Sequence, residues 1–156
     1  MLLARNHSAM THLPVAAALL VLVCAIVASF KAHREIALAW AALSILAFAT
    51  SLPTLTSGIA AARGRFNGDG KPYIESGVMV GRNPANERIW FHQILGASGT
   101  GVAAILALFG LAVIRGRSPN KYLVVLLALT LTLVWAVGAH LGGEELWGPD
   151  TFPAFK

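Results

Sequence analysis

The stretch Glu87–Leu108, ERIWFHQILGASGTGVAAILAL, decides how the chain is read. It is apolar over a length that can cross a bilayer, and it holds a histidine near its start. His92, Gly96, Gly99 and Ala103 fall at i, i+4, i+7 and i+11, so they share one helical face. That face presents one imidazole and then almost no side-chain bulk. A cofactor, or another helix, can lie against it.

The whole chain follows the pattern of this stretch. Of its 156 residues, 56% are hydrophobic and 12% charged, and the mean hydropathy is +0.68. An ordinary soluble domain carries about 25% charged residues. The apolar excess is gathered into four blocks near the ~20 residues that span hydrocarbon. These runs lack strand alternation, which argues against a barrel. The expected fold is all-α: a single integral membrane domain, a four-helix antiparallel bundle. Helices are expected over about 13–30, 36–62, 89–114 and 122–141, with an extramembrane loop at 63–88.

The net charge of +5 and the pI near 10.0 do not point to nucleic acid. The basic residues lie between the apolar blocks, where topology signals and lipid headgroups place them. The single cysteine, Cys24, lies inside the first block and excludes a disulfide framework. That block lacks an A-x-A cleavage signal and is expected to remain as the first helix. His12 and Pro14 stand at its mouth, where proline suits a first helical turn. In the second block Thr50, Thr54 and Ser57 lie on one face, and Pro53 is expected to kink the helix. The loop at 63–88 is rich in Gly, Pro and Asn and predicts surface turns; its NGDG lacks the acidic spacing of a calcium loop. Helix four is expected to end in a turn at Gly142 and Gly143, followed by the solvated Glu144 and Glu145.

Alternating crossings bring distant residues to one end. His12 starts helix one, His92 lies about one turn into helix three, and His140 ends helix four, so all three are expected at similar depth. The polar half of helix two, through Thr54 to Ser57, arrives there too, whereas His33 sits at the opposite end. Ionisable groups inside membrane helices are costly and prompt a functional reading. Two imidazoles across a bundle can hold haem iron from both sides. The candidate metal ligands are therefore His92, His140 and His12. Gly96 and Gly99 allow a flat porphyrin to approach, and Thr54 and Ser57 complete the candidate cofactor site. His12 has a second possible role, as a hydrogen-bond partner to a haem propionate or a quinone oxygen. The plain alternative is close helix packing through small residues, with wet histidines at the headgroup level. Trp90, Trp135 and Trp147 read as interface or core aromatics. No motif for hydrolysis or group transfer is present in the apolar blocks.

The segments His12-Leu13-Pro14, Phe91-His92-Gln93 and Gly138-Ala139-His140-Leu141-Gly142-Gly143-Glu144 carry a family resemblance. In order and placement the chain resembles the four-helix membrane proteins of domain-of-unknown-function family 2231, over nearly all of its transmembrane part. The resemblance implies a small bacterial inner-membrane protein, sometimes linked with cytochromes, whose histidines suit haem. Members often carry a further His-Gly where this chain has Trp147-Gly148, and the long loop at 63–88 looks particular to this chain.

The leading expectation is a haem b-binding, electron-transfer subunit of a respiratory or photosynthetic complex, with a quinone or a cytochrome c among its partners. The alternatives are a cofactor-free accessory subunit of a larger membrane complex and a quinone- or copper-handling membrane protein. The short loops 31–35 and 115–121 are dense in Lys and Arg, which places them inside and both termini on the periplasmic side. Loop 63–88 carries Arg63, Arg65, Lys71, Arg82 and Arg88 and opposes that count. An alkaline phosphatase fused after Lys156 is therefore expected to be active in cells and a fluorescent protein fused there dark; the reverse pattern would invert the topology.

Overall fold

The computed structural model describes residues 7–30, 33–63 and 87–147. They form four helices: α1 (His7–Phe30), α2 (Arg34–Arg63), α3 (Glu87–Ile114) and α4 (Lys121–Trp147). No strand occurs among the described residues. Each helix is long and apolar enough to cross a membrane. The loop between α2 and α3, NGDG included, lies outside the described residues.

The helices close into a ring. α1 packs on α2 and α4, and α3 packs on the same two, while the diagonal pairs do not meet at the backbone. The centre is filled by small residues and a few large ones. Ala17, Ala18, Ala25, Ala41, Ala47, Ala103 and Ala128 are buried with Val21, Leu106, Leu131, Trp40 and Trp135. Small residues let helix backbones approach, which is how apolar helices gain contact when lipid is as apolar as they are. At Gly110 the backbones of α2 and α3 come close: a Cβ there would stand 2.8 Å from the Ala41 carbonyl oxygen. Large apolar side chains instead face outward: Leu108 is 64% exposed, Leu126 59% and Leu133 57%. A helix apolar on both its inner and outer faces suits lipid rather than water.

Polar groups in these helices bond close to home. The hydroxyls of buried Ser44 and Ser51 donate to the carbonyls of Trp40 (2.9 Å) and Phe48 (2.7 Å) on their own helix. The Thr132 hydroxyl reaches both Ala128 (2.9 Å) and Ala18 across the α1–α4 seam (3.3 Å). Trp40 is the exception, since its buried N–H meets no acceptor among the described residues. Such a group costs roughly 1–3 kcal/mol, which the burial of an indole can offset.

The turn between α3 and α4 is built by its sequence. Gly116 adopts a φ of 78°, and its N–H and that of Arg117 bond back to the Val113 and Ala112 carbonyls, both at 2.9 Å. This is a Schellman stop, whose left-handed residue favours glycine. Asn120 then caps α4, its side-chain oxygen accepting from the N–H groups of Tyr122 and Leu123 at 3.0 and 3.3 Å. Lys121 reaches back from this start to the Ser29 carbonyl near the end of α1.

Two boundaries differ from expectation. α1 begins at His7, so Pro14 lies in the helix interior rather than in the first turn. α2 stays helical through Pro53, in keeping with the span expected for it. α4 runs through Gly142 and Gly143 to Trp147, where a turn was expected. Pro14 shows why an interior proline is tolerated. It has no N–H for the carbonyl four residues back, Met10. The Thr54 hydroxyl of α2 donates to that carbonyl at 3.0 Å, so the freed acceptor ties two helices together.

Thr54→Val is expected to lower stability by about 1–2 kcal/mol, because it orphans the Met10 carbonyl. In a Pro14→Ala background, where an N–H is restored, the loss should shrink by half or more. Thermal or denaturant unfolding of the four proteins in detergent measures the coupling; equal losses in both backgrounds would sever the proposed link.

Candidate functional site

A partly open cavity of about 170 Å³ lies among the four helices. α1 contributes Thr11, Pro14 and Val15; α2 contributes Ser51, Thr54, Leu55, Gly58 and Ile59. α3 contributes Ile89, His92, Gln93, Gly96, Ala97 and Thr100, and α4 contributes Trp135 and Ala139. Its walls are mostly apolar, and a few polar side chains interrupt them.

His92 is the ionisable group in that wall. Its Nδ1 lies 2.7 Å from the Gly138 carbonyl oxygen of α4. A carbonyl can only accept, so Nδ1 carries the hydrogen and donates. In the neutral ring Nε2 then holds the lone pair. The glycines of α4 make the contact possible. A Cβ on Gly142 would stand 2.7 Å from His92 Cε1 and 3.1 Å from Nδ1, and one on Gly138 would press at 3.4 Å on Leu95. One turn below His92, Gly96 faces open space, with nothing within 4 Å of where its Cβ would be. Gly99 has another role: a Cβ there would collide with the Trp135 indole, whose ring nitrogen occupies the space that glycine leaves. Trp135 is buried at 7% exposure.

The expected site residues divide. His92, Gly96 and Thr54 line the cavity. Ser57 is buried just behind, its hydroxyl donating at 2.8 Å to the Thr54 carbonyl. Gly99 supports Trp135 from outside the lining. His12 is exposed and turned away, although its neighbours Thr11 and Pro14 line the wall. His140 is partly buried and outside the lining, although Ala139 beside it is inside. Among the described residues, no group of three or more histidine, cysteine, aspartate or glutamate side chains is placed to hold a metal ion. Trp90 packs edge-on against Phe91, with centroids 4.9 Å apart. The side chains of Glu144, Glu145 and Trp147 lie outside the described residues.

Sequence reasoning passed over Gly142, Ser51 and Thr100. Gly142 could have been found, because Gly138 and Gly142 form a G-x-x-x-G pair, the signature of a helix face that admits a close neighbour. Thr100 lies eight residues after His92, within a turn of the same stripe, and its hydroxyl turns back to the Gly96 carbonyl at 2.9 Å.

Comparison with protein-family models, with curated proteins and with solved structures finds no match.

Gly142→Ala is expected to push the His92 ring off Gly138 and cost roughly 1–3 kcal/mol, the range for a broken hydrogen bond with a buried acceptor left over. Gly101→Ala, which meets nothing within 4 Å, serves as the neutral comparison. Unfolding midpoints in detergent decide it, and parity between the two variants would remove the constraint assigned to Gly142.

Proposed function

We propose that this chain is an antiparallel four-helix bundle of the bacterial inner membrane, its termini on the periplasmic side, and that its cavity binds the ring headgroup of a lipid-soluble quinone. In this reading it is a carrier-binding subunit of an electron-transfer complex. The meeting of the start of α3 with the end of α4, and of the start of α4 with the end of α1, supports the antiparallel path. The outward-facing leucines support the membrane setting.

The observation that carries the ligand reading is the cavity at His92. Its volume of about 170 Å³ is close to that of an engineered apolar cavity of ~150 Å³ that takes up benzene. A single substituted ring fits such a space. Apolar walls with a few convergent polar groups are the usual make-up of a small-molecule site. Thr54, Thr100 and His92 supply those groups, from two helices that the Met10–Thr54 and His92–Gly138 bonds hold in place.

Haem b is the second reading, and one observation favours it. Metal-bound histidines generally donate their other ring N–H to a carbonyl or carboxylate, as His92 does to Gly138. The donor set fits one axial position, His92, with Gly96 clearing space beneath it. His12 and His140 stand outside the cavity, so the described residues do not assemble the two-imidazole arrangement. A haem bound there would supply one-electron transfer.

Purification in mild detergent, solvent extraction and a visible spectrum test both readings. About one quinone per chain is expected from the wild type, and much less from His92→Leu with the fold retained. A Soret band that disappears in His92→Leu would replace the quinone with haem. Neither ligand, with no uptake on titration, would leave an accessory subunit that works by packing alone.

A further inference from the structure

We infer that the cavity is loaded sideways from the bilayer, through an opening between α2 and α3 at Ala97, and that this opening holds the apolar chain of the bound guest. The inference rests on the quinone-site reading and goes beyond it by placing the way in and the chain.

Three seams of the ring of helices are tied at the cavity or within a turn of it. Between α1 and α2, the Thr54 hydroxyl donates to the Met10 carbonyl at 3.0 Å. Between α3 and α4, Gly99 admits the Trp135 indole, and His92 Nδ1 lies 2.7 Å from the Gly138 carbonyl oxygen. Between α1 and α4, the Thr132 hydroxyl reaches the Ala18 carbonyl at 3.3 Å. Towards the membrane surface, Ile89 stands in the cavity wall at the start of the α3 span and is buried.

The α2–α3 seam differs. Its close backbone contact is at Gly110 and Ala41, about 21 Å along α3 from Gly96 by the rise of an α-helix. At Gly96 nothing lies within 4 Å of where a Cβ would be. Of the residues that line the cavity, Ala97 alone is exposed. Its place on the helix says where that exposure lies. Leu95 and Gly99 face α4, and Ala97 is about 160° round the axis from both. Since α3 packs on α2 and α4, Ala97 stands on the α2 flank. On α2, Thr54 turns to α1, and Leu55 and Ile59 line the cavity roughly 100–140° further round, on the side of α3.

Depth decides what this opening faces. Ala97 lies about 12 Å into the α3 span that begins at Ile89. Hydrocarbon is ~30 Å thick, so the opening meets acyl chains rather than headgroups or water. A ring entering there comes from lipid, and an alkyl or isoprenoid chain attached to it stays in the opening against Ala97, Leu55 and Ile59.

Two measurements on the full chain in lipid nanodiscs test this. The first uses a decyl benzoquinone with a diazirine on the chain carbon next to the ring. After irradiation, the labelling that excess unlabelled decyl benzoquinone competes away is expected on Leu55, Ile59 or Ala97 of the wild type. The second follows the association rate of decyl benzoquinone. Ala97→Trp is expected to slow it at least about tenfold, equivalent to about 1.4 kcal/mol of barrier. Leu126→Trp, on the outward face of α4, should leave it unchanged. Competed labelling on α1 or α4 instead, or a folded Ala97→Trp protein that loads as fast as the wild type, would overturn the inference and leave the ring site standing. Failure of the wild type to bind decyl benzoquinone would overturn both.

Discussion

Backbone hydrogen bonding sets the terms for this bundle. In hydrocarbon an unmet N–H or C=O costs several kcal/mol, so every break in a helix ladder must be answered by a neighbour. Pro14 makes such a break in the interior of α1. The answer is the Thr54 hydroxyl from α2, which reaches the Met10 carbonyl. A residue that breaks the ladder of one helix thereby positions two of them, and it does so at the rim of the cavity. The serines and threonines elsewhere obey the same rule on a smaller scale by folding back onto carbonyls three or four residues earlier.

A second constraint is steric. The ring closes because alanines and glycines stand where helices touch, and each glycine that matters has a particular neighbour. Gly110 admits the backbone of α2, Gly99 admits an indole, and Gly142 admits an imidazole. These three contacts are worth distinguishing. Backbone against backbone sets helix separation, and Trp135 against Gly99 walls the cavity. His92 against Gly142 is the one with chemical consequence, because it orients a ring whose Nδ1 hydrogen goes to Gly138. The extension of α4 past Leu141 belongs to the same contact: the helix must continue for Gly142 to face His92.

The cavity lies where α3 carries little side-chain bulk, away from its close contact with α2. Near Gly110 the helices approach to backbone contact. Near Gly96 no atom replaces the missing side chain, and Thr54, Thr100 and His92 stand around the gap.

Much of this was legible in the chain itself. Four apolar blocks and the basic turns between them follow from composition and helical period, because burial in lipid demands long apolar runs whatever the partners are. The same period could not say which way the side chains of His12 and His140 turn. Depth along a helix is set by sequence position, whereas rotation about its axis is set by packing against neighbours, and here packing turned His12 out and left His140 behind the wall. Nor could a local rule for G-G foresee a helix that continues, since what holds Gly142 in α4 is the space it leaves for a ring on α3. Sequence position placed the histidines at one end of the bundle; only the fit of helix against helix chose the one that faces the cavity.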